Sequence, residues 1–169
     1  LFILGNHPAL SAMEITGKLS PAEFKLLDKQ VLQVDLEEKI DAPALIKELG
    51  GTVKIAKVLE ENCFDWQDCV KKYLPQKRQG KFCFGFSSYG FESREIKEMA
   101  MHIKKELKNR GISSRWTTSR EKNLSSVAVK QNKLLEKGAE FIALEKGGKQ
   151  MLAATEAIQD FEALSRRDY

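Results

Sequence analysis

Between residues 104 and 133 the chain carries Lys104, Lys105, Lys108, Arg110, Arg115, Arg120, Lys122, Lys130 and Lys133 against only Glu106 and Glu121. Guanidinium and ammonium groups at that density neutralise phosphates, and the interleaved Thr117, Thr118 and Ser119 add hydroxyls and backbone amides that contact them. The chemistry such a set supports is the binding of a polyanion. Trp116 reads first as a core residue and second as a platform on which an unpaired base stacks. Lys97, Lys104, Lys105 and Lys108 avoid the apolar stripe of their helix, as any solvated face does. What favours a binding role is that the same sign continues beyond the helix through Arg110, Arg115, Arg120 and Lys122.

Bond-making chemistry finds fewer candidates. Catalysis needs converging groups of tunable pKa, and the two histidines stand apart, His7 at a strand-to-helix turn and His102 beside a helical apolar stripe. Structural roles are expected for both. No Gly-x-Ser-x-Gly, Walker, HExxH or Cys-x-x-Cys run occurs. Gly85 and Gly90 around Phe86–Tyr89 come nearest to a nucleotide loop, without the Gly-x-Gly-x-x-Gly spacing or its acidic partner. Glu37-Glu38 and Glu60-Glu61 are expected to be solvated at strand ends. Cys63, Cys69 and Cys83 match no zinc spacing and read as reduced thiols of core or surface. No metal or catalytic residue is therefore expected in this segment.

The net charge of +4 is unevenly spread. Residues 1 to 62 hold 7 basic against 10 acidic side chains, and residues 63 to 169 hold 21 against 14. The positive field belongs to the second part. With 42% hydrophobic residues in 169 the chain can bury one good core or two small ones. No apolar run approaches the ~20 residues of a membrane span, and the opening Leu-Phe-Ile-Leu-Gly lacks a signal peptide's basic flank, so a cytoplasmic protein is expected. The start on Leu1 and the stop at Arg166-Arg167-Asp168-Tyr169 suggest a piece of a longer protein.

The elements that must position these groups follow from periodicity. Residues 1–4 form a strand, Pro8 opens a helix burying Leu10, Met13, Ile15 and Leu19, and 24–27 and 31–36 are strands turning at Asp28-Lys29-Gln30. Asp41 caps a helix over 42–49 that Gly50-Gly51 stops, and 52–59 is a last strand. This β-α-β-β-α-β order is the ferredoxin-like split βαβ arrangement, with two helices on one face of a four-stranded antiparallel sheet. After a break at 60–62, residues 63–74 are expected to be helical with Phe64, Cys69, Val70 and Tyr73 buried, and Pro75 ends them. A central aromatic strand spans 82–86, and a helix from Ser93 to Arg110 carries the stripe Ile96, Met99, Ala100, Ile103 and Leu107. A short strand then surrounds Trp116, one helix carries Val127, Val129, Leu134 and Leu135 to Gly138, and strands 141–144 and 151–154 form a hairpin about Gly147-Gly148. Residues 160–169 read as a helical turn or linker. The fold class is α+β, a ferredoxin-like domain at 1–62 followed by an α/β domain at 63–160, with 161–169 as the start of a linker.

Phe2-Ile3-Leu4-Gly5-Asn6-His7-Pro8-Ala9-Leu10-Ser11 with Glu14 resembles the opening of tRNA guanosine N2-methyltransferases of the guanosine-10 type. Phe82 to Ser88, the helix to Gly111, Ser114-Arg115-Trp116, Leu124-Ser125-Ser126-Val127 and the stretch from Asn132 to Gly138 resemble the THUMP domain of those enzymes. Ala153-Ala154-Thr155, Ile158-Gln159-Asp160 and Arg167-Asp168-Tyr169 resemble the link into their methyltransferase domain. The resemblance implies a THUMP domain that binds tRNA near its acceptor end and presents a nucleotide to a Rossmann-type domain using S-adenosylmethionine. That domain's Asp/Asn-Pro-Pro-Tyr motif does not occur in this sequence, so the cofactor and base pocket are expected outside it. The first domain's negative charge departs from the pattern of an RNA grip and suggests a spacer. THUMP domains also serve tRNA thiolation and pseudouridine formation, and a protein-interaction domain without nucleic acid is the third reading.

Overall fold

The computed structural model describes residues 1–20 and 22–165, so the expected tail Arg167-Asp168-Tyr169 lies outside the described residues. The chain is α+β and folds as two compact units, Leu1–Lys57 with the stretch from Thr155 onward, and Val58–Ala154. The divisions fall inside two strands, β4 (Thr52–Glu60) and β8 (Lys149–Ile158).

The first unit contains β1 (Phe2–Leu4), α1 (Pro8–Lys18), β2 (Glu23–Asp28), β3 (Val31–Asp35), α2 (Ala42–Glu48), the start of β4, the end of β8 and α7 (Phe161–Ser165). Its strands run in the order β2-β3-β1-β4, and β1 is antiparallel to both β3 and β4, which is the split βαβ order. Asp41 accepts from the Ala44 amide at 3.0 Å, holding one of the N–H groups that the first turn of α2 leaves without a helical partner. Phe2, Leu4, Ile15, Leu32, Ile46 and Ile55 close the core. α1 departs from expectation. Leu10 and Met13 are 66% and 69% exposed, while Ser11 and Ile15 are buried. The helix turns its small residue inward because Ser11 donates to Gly51 O at 2.8 Å, and a Cβ on Gly51 would stand 2.3 Å from that hydroxyl. Glu14 accepts from the Gly50 and Gly51 amides, so polar contacts to this glycine turn decide the rotation of the helix.

The second unit contains the end of β4, α3 (Trp66–Lys71), β5 (Phe82–Tyr89), α4 (Ser93–Asn109), β6 (Ser114–Thr117), α5 (Ser126–Gln131), α6 (Leu134–Lys137), β7 (Gly138–Lys146) and the start of β8. The strand order is β8-β7-β5-β6, with β5 parallel to both β6 and β7 and β8 antiparallel to β7. Every residue of β5 is buried, as a strand covered on both faces requires. Phe82, Phe84 and Phe86 pack with α3 and α4 through Trp66, Val70, Ala100, Ile103 and Leu107. Gly85 faces the other way, where Leu124 and Leu134 fill the space a side chain would take. α4 closes with a Schellman turn, Ile112 N bonding Leu107 O and Gly111 N bonding Lys108 O, and Gly111 supplies the positive φ of 71°.

Two expectations change here. Phe64 is fully exposed and Tyr73 partly so, while Trp66 takes the core position. The cause is Asp65, which caps α3 from the Gln67 and Asp68 amides and starts the helix later. Tyr73 turns outward to donate to Leu59 O at 2.8 Å. The helix expected up to Gly138 is two short ones, broken where Lys133 adopts φ 52°, and Leu135 lies on its exposed side. The long helix begins at Ser93 as expected, capped by Glu92 in a capping box with Glu95.

Gly138 pairs with Cys83 where β7 begins, and a Cβ there would lie 1.6 Å from Cys83 O. We expect Gly138→Ala to destabilise the chain by about 3 kcal/mol, because the two strands must separate to admit a methyl group. Urea unfolding of the variant checks this, and an unchanged midpoint contradicts the packing described.

Candidate nucleic-acid interface

The basic loop between β6 and α5 is fastened at its root by two consecutive residues of β5. Ser87 Oγ donates to Glu140 Oε1 at 2.6 Å and accepts from the Leu124 amide at 2.9 Å. Ser88 N donates to Asn123 Oδ1 at 2.8 Å. Ser125 then caps α5 by accepting from the Ala128 amide at 3.1 Å. A buried carboxylate demands such donors, and Glu140 is fully enclosed in β7. The root is therefore fixed while the tip, Ser119 to Lys122, is exposed. Ser119 Oγ accepts from the Glu121 amide at 3.1 Å and shapes that tip.

The nine basic residues do not form one field. Lys104, Lys105 and Lys108 are exposed on α4, over the Phe82/Phe84/Phe86 face of the sheet. Lys130 and Lys133 are on the α5–α6 segment, over the Gly85 face. Arg115 lies exposed on β6, the edge strand of this unit, and donates to Asn132 Oδ1 at the end of α5. Arg120 and Lys122 stand on the loop tip. Arg110 is occupied differently. Its guanidinium pairs with Glu106 at 2.9 Å and donates to Leu74 O at 3.0 Å, with longer bonds to Pro75 O and Lys71 O, and only 14% of its side chain is exposed. It ties the end of α4 to the end of α3.

A cleft of about 220 Å³ opens beside the loop tip. Lys97, Arg120 and Lys122 line it together with Glu121, and Phe86, Ile96 and Trp116 form its apolar wall. Trp116 packs against the core, as its first reading has it, and also borders this cleft. Sequence reasoning did not single out Ser87, Asn123 or Glu140, and left Lys97 outside the binding set. The signal for Glu140 was an acidic residue interrupting the apolar run Ala139 to Leu144.

None of the other candidates lines this cleft. Cys63, Cys69 and Cys83 are buried free thiols, and burial together with a hydrogen bond to the Cys69 thiol pushes Cys63 up to about 12. His7 precedes α1 without a side-chain cap bond, and His102 is half-buried. Among the described residues no group of three or more His, Cys, Asp or Glu could hold a metal ion, and no helix is long and apolar enough to cross a membrane. Gly85 in β5 and Gly90 just beyond it are closed in by their neighbours. Leu124 and Leu134 occupy the space at Gly85, and a Cβ at Gly90 would lie 2.3 Å from Glu145 O. Both glycines serve packing.

Two variants separate structure from binding here. We expect Ser87→Ala to cost about 1–3 kcal/mol by taking one partner from the Leu124 amide and one from Glu140, with faster hydrogen exchange at Leu124. Arg110→Ala should cost about 2 kcal/mol of stability, since buried carbonyls and Glu106 lose their donor, and should leave polyanion affinity within about twofold of the parent. Denaturant titration and filter binding on both proteins check the pair.

No family model matches this chain, and no curated protein matches it in sequence. Among solved structures, TrmN from Thermus thermophilus is similar, with a TM-score of 0.54 at 10% identity over 94% of this chain. The chain spans 45% of the TrmN chain, and the likeness is one of fold.

Proposed function

We propose that this chain is the tRNA-binding portion of a tRNA-modifying methyltransferase, in which the second unit acts as a THUMP-like domain that meets the RNA near its acceptor end. What carries the reading is the fold likeness to TrmN, a tRNA methyltransferase, over 94% of the chain. The fastened loop with its exposed Arg120 and Lys122, beside Arg115 on the edge strand, supports it, because a fixed root lets cations meet phosphates without losing much loop entropy on binding. In this reading the first unit is a spacer, and S-adenosylmethionine and the target base are held by a catalytic domain elsewhere in a longer cytoplasmic protein. Recognition rests on phosphates and RNA shape more than on base sequence.

The test is binding of mixed tRNA across a salt series, beside a variant carrying Arg115→Glu, Arg120→Glu and Lys122→Glu. We expect affinity to fall steeply with salt and the variant to lower the log–log slope by about 2–3, close to one for each phosphate no longer neutralised. Absence of affinity at low salt, or a variant indistinguishable from the parent, sinks the assignment.

A further inference from the structure

We propose that the cleft beside the loop tip is a pocket for one unpaired nucleotide of an RNA strand, an inference that rests on the RNA-binding reading above and names the part of the RNA this site takes. The observation that starts it is Ser88. The residue is 2% exposed, and its Oγ is buried with no hydrogen-bond partner. Leaving a hydroxyl dry and unpaired is unfavourable, and such groups in native proteins call for a ligand or another explanation. Strand alternation puts Ser88 on the same face as Phe84 and Phe86, the face that α4 covers, and Ser88 lines the cleft with Phe86, Ile96 and Trp116.

The remaining lining completes a nucleotide's requirements. Trp116 and Ile96 offer flat and apolar surface to a base, and Ser88 offers its hydroxyl to a polar edge. Lys97, Arg120 and Lys122 bring three positive charges against the single carboxylate of Glu121, which suits a phosphate at the rim. Lys97 lies one turn beyond Ser93 on α4, so both face the cleft at the helix's positive end. Glu92 and Glu95 already occupy part of that end through their capping box, which places the burden on the side chains. At about 220 Å³ the cleft is below the roughly 300–1,000 Å³ of drug-sized pockets, room for part of one nucleotide and none for a duplex. The pocket selects unpaired strand because a paired base cannot leave its stack to reach Ser88.

The test uses the whole chain and two probes, an unpaired hexaribonucleotide and a blunt RNA duplex of equal length. Affinities are compared for the parent, Ser88→Ala and Lys97→Gln. Ser88→Ala removes one oxygen and should melt with the parent, while Lys97→Gln gives an independent readout from an exposed position. We expect each variant to bind the hexamer about three- to tenfold more weakly, the effect of one missing hydrogen bond or charge, with duplex affinity unchanged. Tryptophan fluorescence should be quenched by the hexamer in the parent and not in Trp116→Phe. If tRNA and hexamer bind but both variants match the parent, the pocket is refuted and the RNA-binding reading stands. If no RNA binds the parent at all, that reading fails and takes the pocket with it.

Discussion

Glu140 is a carboxylate with no exposure, set in β7 beside Gly85 of β5, and its hydrogen bond from Ser87 is the constraint around which the second unit's surface is arranged. A charge or a proton-bearing carboxyl in that position needs donors at fixed distances, and Ser87 can supply one only by holding its hydroxyl in one rotamer. The same oxygen then accepts from Leu124, so the requirement of a buried acid is passed on to a solvent-facing loop. Asn123 repeats the link one residue along both segments.

The two faces of β5 show how alternation assigns tasks. Its even-numbered positions from 82 to 86 are phenylalanines, which meet α3 and α4 in a cluster where Trp66 and Phe86 stand 5.6 Å apart. Cys83, Gly85 and Ser87 take the opposite face, and there the absence of bulk lets Leu124 and Leu134 approach. Ser88 breaks the aromatic series at the end of the strand, where the core gives way to the cleft. One strand therefore supplies core, loop anchor and cleft floor in sequence.

Most of this architecture was legible from periodicity and turn residues. The β-α-β-β-α-β order, the aromatic central strand, the stripe of α4 and the Gly147-Gly148 hairpin all announce themselves locally. What was hidden depended on partners distant in sequence. The rotation of α1 is decided by Ser11 and Glu14 bonding a turn some 40 residues away, which no local hydrophobic pattern around Leu10 and Met13 contains. Trp66 displaced Phe64 because Asp65 is a good cap, a signal that was present and outweighed by counting apolar residues. For the site, composition grouped as one field cations that lie over opposite faces of a sheet. It also included Arg110, whose carbonyl partners come from α3 and the turn after it.

β6 is four residues long and forms the outer border of its unit's sheet, so the backbone groups on its far side face no neighbouring strand among the described residues. Such borders invite pairing with another chain, and short length and protruding charge are the usual protection. Arg115 on the strand, with Arg120 and Lys122 just beyond it, supplies that charge. The cations proposed to meet RNA are thus the same groups that keep copies of this protein from adding strand to strand. Under the proposed function, neutralising them would weaken RNA affinity and raise the tendency to aggregate together, so that binding and solubility would rest on the same side chains.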